Sequence, residues 1–98
     1  MDAQKAIDRG YLGCGEVAQH STANYLRDGA GYAPCDLETE THLLADDIEH
    51  GRWEKADNGI NFILNAVKGV LLTTRGVEWA TWIGMAQKMV ARAGATIQ

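Results

Sequence analysis

After residue 36, apolar residues recur at helical spacing, and almost nowhere do they alternate with polar ones at strand spacing. Between Asp36 and Gly51, Leu37, Leu44 and Ile48 fall within roughly 40° of one another on a wheel of about 100° per residue. That is a narrow stripe, and most of the rest of the circumference is polar. Asp36 is placed to N-cap this helix, acids fill its first turn as the helix dipole prefers, and Gly51 is placed to end it. From about Trp53 to Thr74 the stripe broadens. Trp53, Ile60, Ile63, Leu64, Val67, Val70 and Leu71 share one face, with Asn58, Asn61, Asn65 and Lys68 opposite. Phe62 and Leu72 fall outside that stripe, which predicts a central helix covered on more than one side. Gly59 and Gly69 each lower its helix propensity by about 1 kcal/mol relative to Ala and leave room for a bend. The last helix is predicted over Val77 to Ala93. Trp79, Trp82, Ile83, Met85, Ala86, Met89, Val90 and Ala93 lie on one face, and Thr81, Lys88 and Arg92 on the other.

The N-terminal third is less regular. Helices are predicted over 2–9 and 15–28, joined by the glycine-rich GYLGCG turn. The stretch from Asp28 to Cys35 holds Gly29, Gly31 and Pro34 and is the clearest break in the chain; Gly76 marks a further break. The pattern predicts an all-α protein, a compact four- or five-helix bundle forming one domain over residues 1–98.

Composition supports a folded core, with 46% hydrophobic residues and three Trp. No run of about 18 apolar residues occurs, so no membrane span is expected. The N-terminal MDAQKAIDRG lacks the basic and apolar regions of a secretory signal, which predicts a soluble, cytoplasmic protein with Cys14 and Cys35 as free thiols.

Catalytic signatures are missing. No G-x-S-x-G, Walker A, G-x-G-x-x-G or H-E-x-x-H occurs. Cys14 and His20 could be read as nucleophile and base, but nothing identifies a third group or an oxyanion site. The glycines of GYLGCG lack the preceding strand and the following Lys-Ser/Thr of a phosphate loop. The expectation is a non-enzymatic protein without a cofactor.

Charge is where the sequence is most distinctive. The formal net charge is -4, yet Asp36, Glu38, Glu40, Asp46, Asp47 and Glu49 place six carboxylates in one segment without Lys or Arg. Residues 1–58 hold 12 acids against 5 bases, whereas residues 59–98 hold Glu78 alone against Lys68, Arg75, Lys88 and Arg92. On the wheel, Asp36, Glu40 and Asp47 line one flank of the narrow apolar stripe, Glu38 and Glu49 the other, and Asp46 the back. Like charges at i, i+4 repel by a few tenths of a kcal/mol per pair, and no interleaved base offsets that. Such a helix either solubilises the protein or docks on something basic.

A metal site would draw on His42, Asp46, Glu49 and His50. The diverging directions of the acids argue against it, and Asp47-x-x-His50 is neither Glu-x-x-His nor repeated. A small helical DNA-binding regulator, with 15–28 as recognition helix, must overcome the negative charge of the first 58 residues. A structural homodimer or assembly subunit could instead join through Trp53, Trp79, Trp82, Met85 and Met89.

Compact length, no catalytic set and the unbroken run DLETETHLLADDIE together resemble the small phage proteins that block host machinery, anti-CRISPR proteins among them. The resemblance implies an inhibitor whose partner is a protein with a basic surface, such as a CRISPR effector complex, with the inhibitor binding neither nucleic acid nor membrane itself. It would place Asp36, Glu38, Glu40, Asp46, Asp47 and Glu49 at the contact. These inhibitors share no fold or motif, so it implies nothing further.

Overall fold

The computed structural model describes residues 16–97, with side chains described through Gly94. Helix α1 spans Glu16–Gly29 and runs into a 3-10 turn at Ala30–Tyr32; α2 spans Glu38–Glu49, α3 Trp53–Ala66 and α4 Thr74–Ile97. The described residues form a small all-α bundle without a strand. The helix predicted over 2–9, the GYLGCG turn and Cys14 lie outside the described residues. Helix α1 packs on α2 and α4, and α3 packs on the same two, so the four form a ring with the 3-10 turn against α1, α2 and α4.

The core follows the predicted stripes closely in α4, where all eight residues from Trp79 to Ala93 on the apolar face are buried. Along α2 and its N-cap, Leu37, Leu44 and Ile48 are buried as expected, and Thr41 and Ala45 join them at 0% exposure. On the wheel this widens the buried face to roughly 100°. Thr41 can enter because both roles of its hydroxyl are filled. It donates to the Leu37 carbonyl at 2.8 Å and accepts from the Trp79 indole Nε1–H at 3.0 Å. The second bond crosses the ring from α4 to α2.

Both ends of α2 are informative. Asp36 does not cap it. Cys35 and Asp36 sit at φ 55° and 58°, left-handed values that only Asp and Asn among side-chain-bearing residues adopt with any ease. An N-cap needs extended backbone for its carboxylate to reach the first free amides. Leu37 takes the cap position instead, with no side-chain cap bond. The C-terminal prediction holds. Gly51, at φ 69°, follows His50; its N–H donates to the Ile48 carbonyl at 3.2 Å, and Arg52 N–H donates to the Asp47 carbonyl at 2.8 Å. This is the Schellman pattern, which left-handed glycine permits.

The helix predicted from Trp53 to Thr74 ends at Ala66. Gly69 takes φ 78°, and Val70 N–H donates to the Val67 carbonyl at 3.0 Å, so a turn stands where a continuation was expected. Only Ala56, Ile60 and Ile63 of α3 are buried; Phe62 is 56% exposed and Leu71 98%. The helix is therefore covered on one side, not several. Helix α4 begins earlier than the predicted Val77. Thr73 caps it, its Oγ1 accepting the Gly76 N–H at 3.0 Å, so Gly76 lies in the first turn and breaks nothing.

Candidate functional site

The acidic segment divides into two halves. Toward its C-terminus the carboxylates are engaged. Arg27 of α1 forks onto Glu49 of α2, Nη2 to Oε1 at 2.9 Å and Nη1 to Oε2 at 3.1 Å. His20 Nδ1 lies 2.9 Å from the same Oε2. Arg52, brought back by the Schellman turn, donates from Nε to Asp47 Oδ1 at 2.9 Å and from Nη2 to Asp46 Oδ2. His50 Nδ1 lies 2.9 Å from the Asp46 carbonyl oxygen and 3.4 Å from its Oδ1. Gln19 Nε2 adds a 3.0 Å bond to the Ile48 carbonyl, so α1 is tied along the end of α2.

Electrostatics follow from these contacts. The hydrogen bonds from Arg27 hold the Glu49 carboxyl below the usual carboxylate range, and the same bonds raise the Arg27 guanidinium. The bond to Asp47, reinforced by Asp46, raises Arg52. The expectation of an unrelieved acidic helix is thus corrected for this half: the balancing bases come from α1 and from beyond the turn. They could not be found by looking for Lys or Arg inside the segment.

Toward the N-terminus the picture is different. Asp36 and Glu38 are exposed and Glu40 half-buried, and none of the three has an ion pair among the described residues. Glu38 and Glu40 sit in the first turn of α2, where the positive end of the helix dipole favours carboxylates.

The expectation that the acids diverge also needs correction. Ligand atoms of Asp46, Glu49 and His50 come within 4.8 Å of one another, while His42 stands apart and exposed. The three have i, i+3, i+4 spacing, which brings side chains together on one face of a helix. Both carboxylates of that trio already face a guanidinium.

A concave feature that periodicity did not suggest lies between α1 and α4. A pocket of about 390 Å³ is lined by Tyr25, Asp28, Tyr32, Arg75, Glu78 and Trp82, with Gly29 and Trp79 completing it. Tyr25 lies flat on Trp82, ring centroids 3.9 Å apart and planes 5° from parallel. Arg75 places its guanidinium carbon 4.9 Å from the Tyr32 ring centroid and donates to Tyr32 Oη at 3.3 Å. Asp28 and Glu78 are exposed and without an ion pair among the described residues. A signal was present in the sequence: Arg75, Glu78, Trp79 and Trp82 have the i, i+3, i+4, i+7 spacing of one helix face, a mixture of charge and indole that a purely internal face does not need.

Other candidate residues resolve simply. Trp79, Trp82, Met85 and Met89 are buried within the chain and Trp53 half-buried, so their stripe serves this core. Arg27, the base of the proposed recognition helix, is held by Glu49. Cys35 is a free, exposed thiol. Among the described residues no helix is long and apolar enough to cross a membrane. Comparison with known proteins returns nothing: no family model, no curated protein and no solved structure matches this chain.

Proposed function

We propose that this protein is a non-enzymatic binding module that docks on a basic, nucleic-acid-handling surface of a partner protein and masks it, in the manner of an anti-CRISPR inhibitor. The observation that carries this reading is the division of the acidic segment. Asp36, Glu38 and Glu40 present three carboxylates at the start of α2 with no ion pair among the described residues, while Asp46, Asp47 and Glu49 are neutralised from within. A groove that tracks phosphates carries spaced Lys and Arg, and carboxylates fixed on a helix can occupy it without any chemistry. The test is a capture from host lysate using wild-type protein and an Asp36→Lys, Glu38→Lys, Glu40→Lys variant as baits. The wild type should retain a nucleic-acid-binding protein that added nucleic acid displaces and that is released as salt shortens the Debye length toward about 3 Å. The variant should retain none of it while keeping its helical circular dichroism. Equal retention by both baits refutes the reading.

A further inference from the structure

The pocket between α1 and α4 has a chemistry of its own. Tyr25 and Tyr32, at 42% and 45% exposure, and the buried Trp79 and Trp82 all line it. Asp28 and Glu78 contribute two negative charges and Arg75 one positive, so the lining nets -1. A bound phosphate or nucleotide would meet repulsion there, and a cation attraction. The lining already displays the contact in question: the Arg75 guanidinium lies within cation–π range of Tyr32, well inside the roughly 6 Å at which such pairs attract. Tyr25 is held in place by its stacking on Trp82, so little ordering of that ring is left to be done on binding.

We propose that this pocket receives an arginine side chain of a protein partner, its guanidinium lying against the tyrosines and donating to Asp28 and Glu78. Arginine fits better than lysine because a planar guanidinium stacks on aromatic faces and bonds carboxylates in pairs, whereas an ammonium acts as a point charge. Arg75 is then an internal competitor, placing a like charge in the lining and over the Tyr32 ring. The choice of a protein arginine rests on the basic partner proposed above; the recognition of a guanidinium does not.

The experiment therefore uses no partner. Indole N–H resonances of the full chain are followed by two-dimensional NMR while Nα-acetyl-arginine amide is added. Nα-acetyl-lysine amide, Nα-acetyl-citrulline amide, free L-arginine and AMP are titrated in parallel. The arginine amide should shift the Trp82 indole saturably, the lysine amide more weakly, and the neutral citrulline amide and AMP not at all. An Asp28→Asn, Glu78→Gln variant should bind on the order of tenfold more weakly, since it loses two exposed charge contacts. Arg75→Gln should bind a few-fold more tightly. The Asp36→Lys, Glu38→Lys, Glu40→Lys variant should bind the amide as the wild type does, which separates this site from the acidic helix. The proposal is overturned by the absence of a saturable shift, by unchanged affinity in the Asp28→Asn, Glu78→Gln variant, by weaker binding in Arg75→Gln, or by a preference for AMP. Tighter binding of free arginine than of its blocked amide overturns the assignment to a protein side chain.

Discussion

Thr41 and Trp79 provide the sharpest test of how this core is built. Thr41→Val keeps the branched shape and removes the hydroxyl. The Leu37 carbonyl keeps the Thr41 N–H at 2.9 Å, so little is lost there. The Trp79 indole N–H, in a residue 1% exposed, loses its acceptor. An unsatisfied buried donor costs about 1–3 kcal/mol, and the added methyl returns up to about 0.8 kcal/mol of that. A net loss on the order of 1–2 kcal/mol lowers Tm by roughly 5–15 °C in a chain of this size. Thermal and urea unfolding followed by circular dichroism measure it. The double-mutant cycle supplies the specificity: with Trp79→Phe in place there is no donor to strand, so adding Thr41→Val should cost almost nothing further. Thr41→Ser, which keeps the hydroxyl, should retain the coupling. A Thr41→Val cost that is the same with and without Trp79→Phe would refute the reasoning, because the hydroxyl would then matter only to its own helix.

Two further perturbations address the end of α2. Gly51→Ala should destabilise by roughly 1–2 kcal/mol through backbone strain, since the nearest atom to an added Cβ is Gln19 Nε2 at an ordinary 3.6 Å and only the φ of 69° opposes it; unchanged urea unfolding would contradict the left-handed turn. Glu49→Gln should expose a pH-dependent ion pair. Arg27 depresses the Glu49 pKa, so the stability it contributes is complete above the ordinary value of 4.5 and is lost as pH falls through the folded-state value. The Tm difference between wild type and Glu49→Gln should therefore be largest near neutral pH and close as the solution becomes acid, and a constant difference would exclude the pair.

Helix faces were legible in the sequence because burial imposes its period directly. Every apolar position from Trp79 to Ala93 read onto the α4 stripe is buried. The Gly51 stop was legible for a related reason, since a glycine after a polar last turn has few other uses. Gly69 was misread because Val67, Val70 and Leu71 continue the apolar pattern beyond it, so a stop looked like a tolerated defect in a longer helix. Periodicity reports which residues are apolar, and Leu71 shows that apolar need not mean buried. The entry of Thr41 into the core was hidden because its acceptor role is filled by an indole 38 residues away. The Arg27–Glu49 fork is equally non-local, spanning 22 residues between two helices. The pocket was missed because its two walls come from different helices and only the α4 half forms a pattern along the chain.

Counting charge along the chain makes the six carboxylates of the acidic segment equivalent, and folding makes them unequal. A carboxylate already bonded to a guanidinium at 2.9 Å offers little to a second cation, which must share the oxygens or displace the first. Charge reversal at Asp46, Asp47 or Glu49 would loosen the attachment of α1 and of the α2–α3 turn before it reached any docking partner. Reversal at Asp36, Glu38 or Glu40 breaks no ion pair among the described residues, so an effect on binding there is an effect on the contact itself. The two halves thus give opposite signatures. Substitutions in the C-terminal half should change stability with binding following it, whereas those in the N-terminal half should change binding and its salt dependence, with only the smaller stability cost of losing the helix-dipole contacts of Glu38 and Glu40 and the left-handed fit of Asp36. A segment that serves only to keep the protein soluble predicts the stability signature in the C-terminal half and no binding signature anywhere, and an acidic face used whole predicts a binding signature at every position. Comparing the two sets of substitutions therefore distinguishes all three accounts with the same pair of measurements.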